Sequence, residues 1–213
     1  MSVPGVRRFS LATIAPVPWK NGGGTTREIA VSPAGAGMDD FAWRISVADI
    51  AADGPFSAFA GIDRQIVLLD GAGVVLRSRE ERAREDGFVH RLDRVGEPFA
   101  FAGDVAVDAT LIDGPTRDFN VMTRRGRCRA VVEAMRTPVR IDGTGATLVL
   151  VIAGHWRDGG GEPLAAGDGM LWTDAPGVGP SIEPGVASVA RTTLTPQDDA
   201  ALCLRVAIDG EPR

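Results

Sequence analysis

The sequence of 213 residues contains two histidines, two cysteines and no tyrosine. His90 and His155 lie far apart and do not form a His-x-His arrangement. A transition-metal site normally needs several histidine, cysteine or carboxylate ligands brought together, so we expect no metal and no other cofactor. Cys128 and Cys203 are too widely separated in the sequence to indicate a disulfide framework. The shortage of histidine also argues against ordinary general-base catalysis, although carboxylates could serve as the base.

Signature motifs of catalysis are absent as well. There is no nucleophile elbow, and neither copy of the triplet GGG is followed by a Lys-Ser or Lys-Thr pair, which argues against a phosphate-binding loop. We therefore assign no catalytic residue from the sequence.

The chain also lacks long apolar runs and an excess of positive charge. No segment reaches the length that a bilayer span needs, and the first residues lack the apolar region of a signal peptide. The net charge is −5 and the isoelectric point about 5.1, so there is no general attraction for phosphate backbones. These features predict a cytoplasmic protein with reduced cysteines and with neither a nucleic-acid nor a membrane partner.

Glycine, proline and apolar residues are abundant instead. The chain has 27 glycines, 14 prolines and 44% hydrophobic residues, so turns separate recurring apolar runs. Residues 25–33 and 41–50 alternate with a period of two, which is typical of strands, and no long amphipathic helix is indicated. Two apolar runs flank residues 70–73, DGAG, and predict a β-hairpin. Short strands at close spacing predict an all-β fold, either a sandwich or a barrel.

A faint internal repeat indicates how the strands are divided. Residues 96–111 and residues 146–172 both contain a Glu-Pro pair, then a Gly-Asp pair, then an apolar strand, a pattern typical of tight turns in jelly rolls. Two copies predict two jelly-roll β-barrels in one chain. We assign residues 1–125 to the first jelly roll, with the ligand pocket, and residues 126–213 to the second, with terminal strands able to swap between barrels.

Polar side chains concentrate in the first third of the chain. Arg44 and Ser46 share one face of their strand, while the apolar residues between them share the other. One interpretation is an ion pair at a sheet edge, with Glu28 on the neighbouring strand. The other is a barrel cavity in which Arg44 is the main anchor for a small carboxylate. Asp118 and Asn120 are also two residues apart and therefore share a face.

The segment PVPWKNGGGTTREIAV, residues 16–31, places three glycines directly before a strand. Glycines allow the backbone to pass close to a barrel rim. Lys20 and Asn21 would then direct polar ends at a pocket, and Trp19 would cover its mouth.

These segments resemble a known family. PWKNGGGTTREI, FAWRISVADIAADGPFSAFAGIDR, LLDGAGVVL, FAGD and DFNVM resemble, in this order, the signature blocks of the HutD family, also called the Ves family. The resemblance implies a bicupin, which is two jelly rolls in one chain, without an established enzymatic activity. It also implies a link to the control of histidine utilisation through binding of a small pathway metabolite, with urocanate, formylglutamate or formate as candidates. The Ves branch is associated with cold and stress induction.

The resemblance further implies a pocket built from the first blocks. The residues carried over are Lys20, Asn21, Thr26, Glu28, Arg44, Ser46, Ser57 and Arg64.

Three functions remain open at this stage. The leading hypothesis is a non-enzymatic sensor of a small carboxylate. The second is a metal-independent cupin enzyme, an isomerase or lyase of a small organic acid, with Glu28 or Asp63 as its acid or base. The third is an interaction protein whose signature blocks form the face of a homodimer.

Overall fold

A computed structural model describes residues 5–79, 87–141, 145–173 and 192–210. In these ranges the chain forms strands and one turn of 3₁₀ helix, Leu11–Thr13, and no α-helix, which confirms the predicted all-β class. No helix in these ranges is long and apolar enough to cross a membrane.

The strands are short and follow one another closely. The strands of the first part of the chain are β1 (Gly5–Ser10), β2 (Val17–Pro18), β3 (Gly24–Ser32), β4 (Trp43–Ile50), β5 (Gly54–Phe56), β6 (Ile62–Asp70), β7 (Val74–Ser78), β8 (Val89–Leu92), β9 (Pro98–Ala102), β10 (Val107–Leu111) and β11 (Thr116–Arg124). Those that follow are β12 (Arg129–Met135), β13 (Val139–Ile141), β14 (Ala146–Ala153), β15 (Trp156–Arg157), β16 (Pro163–Leu164), β17 (Asp168–Thr173), β18 (Thr192–Pro196) and β19 (Leu202–Asp209).

The described strands assemble into four antiparallel sheets. The first outer sheet has the order β5-β10-β7-β8, and the first inner sheet the order β2-β3-β4-β11-β6-β9. The second inner sheet has the order β1-β17-β14-β19-β12, and the second outer sheet the order β13-β18-β15-β16. Each inner sheet packs on its own outer sheet, so the chain contains two sandwiches.

Three apolar layers hold the four sheets together. Ile66 and Leu76 belong to the layer inside the first sandwich, and Trp156 and Trp172 belong to the layer inside the second. The third and largest layer lies between the two inner sheets and includes Phe119. Burial of apolar area on this scale is the main stabilising term of the fold.

Strand alternation gives the first inner sheet two different faces. On β4, the residues Trp43, Ile45 and Val47 are buried against the second sandwich, as the period of two predicts. A β-bulge on β3 lets Ile29 and Ala30 both enter that apolar layer. The opposite face of this sheet is turned toward the first outer sheet, and there the side chains are more polar.

The predicted hairpin at residues 70–73 is wrong. β6 pairs with β9 and β11 in the inner sheet, whereas β7 pairs with β8 and β10 in the outer sheet. Glycine is needed here because two backbone segments pass close together: a Cβ at Gly73 would lie 1.9 Å from the carbonyl oxygen of Leu92. Gly73 also has a φ of +89°, which side chains other than glycine rarely adopt. The turn therefore carries the chain from one sheet to the other.

The N-terminal strand crosses from the first part of the chain to the second sandwich. β1 pairs with β17 in the second inner sheet, although most of the first 125 residues build the first sandwich. Gln65 links the inner sheets, because its side-chain amide donates to the carbonyl oxygen of Ala130 at 2.6 Å and accepts from the amide of Val132 at 3.2 Å. Whether residues 1–125 and 126–213 would fold as independent domains stays a prediction.

Candidate functional site

The polar face of the first inner sheet borders a cavity of about 490 Å³ inside the first sandwich. Seven of the eight residues proposed from the sequence line it, namely Lys20, Asn21, Thr26, Arg44, Ser46, Ser57 and Arg64. Lining residues outside that set include Trp19, Phe56, Phe59, Asp118, Asn120 and Met122. The volume and the mixture of aromatic and polar groups are typical of a site for a small organic molecule.

Glu28 is the eighth proposed residue, and it lies beside the cavity rather than in its lining. It accepts a hydrogen bond from Nε of Arg44 at 2.7 Å. A second nitrogen of Arg44 is 3.3 Å from the hydroxyl of Ser46. The ion pair considered from the sequence is therefore present, and the charge of Arg44 is already matched by a carboxylate.

Arg64 differs from Arg44 because no described carboxylate pairs with it. It is only 7% exposed, and its three hydrogen bonds, to the side chain of Asn120 and the carbonyl of Ser57, are all 3.4 Å long. Burial, together with the charge of nearby Arg44, lowers its pKa to about 10. The cation is thus removed from water without a compensating anion.

Three phenylalanine rings surround the Arg64 guanidinium. Its central carbon lies 5.0 Å from the ring centre of Phe101, 5.4 Å from that of Phe56 and 5.8 Å from that of Phe59. Such contacts orient the guanidinium and partly stabilise its charge. They supply no hydrogen-bond acceptor, so the N–H groups of Arg64 that are not used in its three long bonds stay available to a ligand.

Asp118 is the second group without a partner in the cavity wall. It is fully buried, and neither of its carboxyl oxygens has a hydrogen-bond partner among the described residues. Its cross-strand neighbours are Ala48 and Leu68, which offer no polar side chain. Burial raises its pKa to about 7. The sequence shows that Asp118 and Asn120 share a face, but it does not show that this face lines the cavity.

The segment directly before the glycines, residues 18–21, lines the cavity. Nε1 of Trp19 donates to the hydroxyl of Thr26 at 2.7 Å, which fixes the indole in the cavity wall. A Cβ at Gly24 would lie 2.3 Å from the backbone oxygen of Asp49 and 3.2 Å from the indole, so only glycine fits there. Lys20 is exposed beside the indole and is the only lysine of the chain.

The cavity is not suited to a transition metal. Its lining contains no histidine or cysteine, and its one carboxyl group is that of Asp118. Within the described ranges no group of three or more histidine, cysteine, aspartate or glutamate side chains could hold a metal ion. The expectation that the protein binds no metal stays a prediction.

Comparison with known proteins identifies the family. The HutD family profile matches residues 11–188. The chain belongs to the HutD family. Protein Ves of Citrobacter koseri is 42% identical over 157 residues, which are 73% of this chain and 77% of Ves. This confirms the resemblance seen in the sequence.

Two solved structures that are at least 30% identical share the fold over nearly the whole chain. PA5104 of Pseudomonas aeruginosa PAO1, a protein of unknown function, has a TM-score of 0.77 at 33% identity, covering 97% of this chain and 100% of PA5104. HutD of Pseudomonas fluorescens SBW25, in a formate condition, has a TM-score of 0.76 at 30% identity and coverages of 98% and 100%.

More distant structures show the fold alone. YlbA of Escherichia coli has a TM-score of 0.68 at 7% identity, with coverages of 98% of this chain and 93% of YlbA. Oxalate decarboxylase of Lactobacillus farciminis has a TM-score of 0.58 at 10% identity, with coverages of 95% and 88%. The chain therefore has the cupin fold, in the predicted bicupin form.

Proposed function

We propose that this HutD-family protein is a non-enzymatic cytoplasmic receptor for a small carboxylate, which regulates histidine utilisation by sensing a pathway metabolite. The observation that carries the proposal is Arg64, a buried cation without a carboxylate partner in a cavity of about 490 Å³. Leaving such a charge buried and unpaired costs free energy, which a bound anion would recover.

A carboxylate matches the groups around Arg64. A guanidinium presents a planar fork of N–H donors that fits the two oxygens of a carboxylate. Arg44, whose charge lowers the pKa of Arg64, adds a second cation, and Ser46 and Asn120 add neutral hydrogen-bonding groups. We therefore propose Arg64 as the main anchor of the carboxylate and Arg44 as a secondary contact. The sequence predicted the reverse, with Arg44 as the main anchor.

The relatives support this proposal in two ways. The name HutD links the family to histidine utilisation, and one HutD structure represents a formate condition. Formate is the smallest carboxylate, and the cavity leaves room for a larger acid. Urocanate, formylglutamate and formate are accordingly the first ligands to test.

Thermal unfolding with added carboxylates tests the proposal directly. A ligand that binds only the folded state raises the melting temperature with its concentration. We expect formate or a larger candidate to do so for the wild type but not for Arg64→Met, with affinity falling by about 30- to 3,000-fold, the equivalent of about 2–5 kcal/mol. Arg79→Met is the matched control, because Arg79 is exposed and paired with Asp108 away from the cavity. Equal affinity in wild type and Arg64→Met would contradict the assignment of the anchor.

Lys20 provides a second readout that reports the location of binding. Since it is the only lysine, acetylation of its amine can be followed by mass spectrometry without interference from other lysines. We expect a bound carboxylate to slow acetylation of Lys20, relative to acetylation of a free lysine derivative in the same tube. A ligand that raises the melting temperature and leaves the Lys20 rate unchanged would bind elsewhere.

One observation favours the enzymatic alternative enough to keep it. The pKa of Asp118 is about 7, where a carboxyl group can act as general acid or base at neutral pH. Turnover of a candidate acid by the purified wild type, lost in Asp118→Asn, would support a metal-independent isomerase or lyase. If the candidate acids stay intact after long incubation, the result supports the receptor over the enzyme.

A further inference from the structure

The cavity has two separate polar ends. At one end Arg64, opposite Met122 on β11, reaches Asn120, whereas Asp118 lies two residues further along β11, between Ala48 and Leu68. Neither carboxyl oxygen of Asp118 has a hydrogen-bond partner among the described residues, so neither arginine of the cavity pairs with it. A carboxylate bound on Arg64 alone would leave the Asp118 carboxyl group unpaired.

The strand geometry sets the distance between these ends. Asp118 and Asn120 are two residues apart on β11 and share the cavity face, and two residues of a strand span about 6–7 Å. A ligand that reaches both ends must therefore carry a second polar group several bonds from its carboxylate. Formate has no such group, and it would fill only a small part of the 490 Å³ cavity.

The charges of the cavity indicate the nature of the second group. Lys20, Arg44 and Arg64 line the cavity, and of these Arg44 is paired with the carboxylate of Glu28. A second anion at the far end would be repelled by Asp118 whenever that group is ionised. A hydrogen-bond donor would instead pair with the ionised carboxyl group in a charge-assisted bond, which is stronger than a neutral one.

We propose that Asp118 is a specificity-determining residue, and that the ligand is a small acid carrying an N–H donor at the end opposite its carboxylate. This inference rests on the proposed function, since it assumes that the carboxylate of the same ligand binds Arg64. An imidazole or amide N–H has the required chemistry. The unpartnered oxygens of Asp118 are the acceptors that such a group would satisfy.

Two aromatic acids of similar length test the proposal at pH 8. 3-(Imidazol-4-yl)propanoate carries a ring N–H, whereas 3-phenylpropanoate has a C–H there, and acetate tests the carboxylate alone. We expect the wild type to bind the imidazole acid at least tenfold more tightly than the phenyl acid. Asp118→Leu should abolish or reverse this preference. Asp118→Asn, which keeps an acceptor oxygen and the shape, should retain part of the preference.

The outcomes separate the two proposals. If the wild type binds acetate but shows no preference between the two longer acids, or excludes both, the role of Asp118 is wrong while the carboxylate site stands. Tighter binding of glutarate than of the imidazole acid would also contradict it, because Asp118 would then act as a donor. If no carboxylate binds, or if binding is independent of Arg64, the proposed function itself fails. Preference retained in a folded Asp118→Leu variant would assign selectivity to another residue.

Discussion

The interiors of the two sandwiches differ although both are built from an inner and an outer sheet. The interior of the second is filled by large apolar side chains, among them Trp156 and Trp172. Among the described residues its unsatisfied buried side-chain atoms are the indole nitrogens of these two tryptophans. The interior of the first contains Arg64, Asp118 and Asn120 beside its apolar layer. One architecture therefore supports a packed core in one half and a polar cavity in the other.

The difference shows where the protein tolerates unfavourable burial. An unpaired cation and an unpaired carboxyl group both destabilise a folded chain. Both occur on the cavity face of the first inner sheet, and the apolar layer behind that sheet contributes the compensating stability. Sites at which stability is given up in this way are commonly functional.

The largest expected effect comes from opening the packed interior. Trp156→Ala should lower the free energy of unfolding by about 3–5 kcal/mol, because Trp156 is fully buried and its removal leaves a large void. Urea denaturation measures this change. Phe56→Ala is the counterpart in the cavity wall, where the side chain is half-buried and already borders open space, and it should cost about 1 kcal/mol. Equal losses for the two variants would contradict the comparison.

The next effect concerns the pH dependence caused by Asp118. Its pKa is about 7 in the folded protein against 3.8 ordinarily, so the folded state holds a proton that the unfolded chain releases between these values. The contribution of Asp118 to the free energy of unfolding is fully present below pH 4. It is lost as the pH rises to about 7, and the loss is at most roughly 4 kcal/mol. Asp118→Asn should remove this pH-dependent loss.

Denaturation curves from pH 4 to pH 8 check this prediction. Asp108→Asn is the control. The exposed Asp108 carboxylate accepts hydrogen bonds from Arg79, which lower its pKa rather than raise it. The control should keep the wild-type slope over this range. A wild-type slope that survives in Asp118→Asn would mean that another group titrates.

A smaller and opposite effect is expected at the anion site. Arg64→Met should raise the free energy of unfolding of the ligand-free protein by about 1–3 kcal/mol, because methionine removes the desolvated charge and keeps contact with the phenylalanine rings. Thermal and urea unfolding without carboxylate buffers measure it. A lower free energy of unfolding in Arg64→Met would show that Arg64 has a structural role rather than a ligand-binding one.

The smallest effect should come from Arg44. The Arg44–Glu28 pair is only partly buried, with side-chain exposures of 12% and 45%, so Arg44→Met should change stability by less than about 1 kcal/mol. Arg44→Lys should weaken carboxylate binding less than Arg64→Lys does, since the Arg44 charge is already paired. Both binding constants are obtained by calorimetry, and the reverse order would restore Arg44 as the main anchor.

Local patterns predicted part of this architecture. Alternation along β4 correctly placed Arg44 and Ser46 opposite the apolar layer, since the period of a strand is a local property. The DGAG turn was misread because its choice between a hairpin and a crossing depends on which strands pair later in the chain.

The ranking of the two arginines was also beyond the sequence. It depends on Glu28 pairing with Arg44 across β3 and β4, and on rings from distant segments, such as Phe101, surrounding Arg64. These are contacts between residues far apart in the chain. Spacing within one strand carries no information about them.

The alternation of the first inner sheet also sets how this protein can diverge during evolution. Positions 44, 46, 118 and 120 face the cavity, while the positions between them pack the two sandwiches together. Substitutions at the first set can therefore change the preferred ligand without disturbing the junction. Inserting one residue in β4 or β11 would exchange the two sets and place Arg44 or Asp118 in the apolar layer. New ligand preferences in this fold should arise by substitution, with strand lengths held constant.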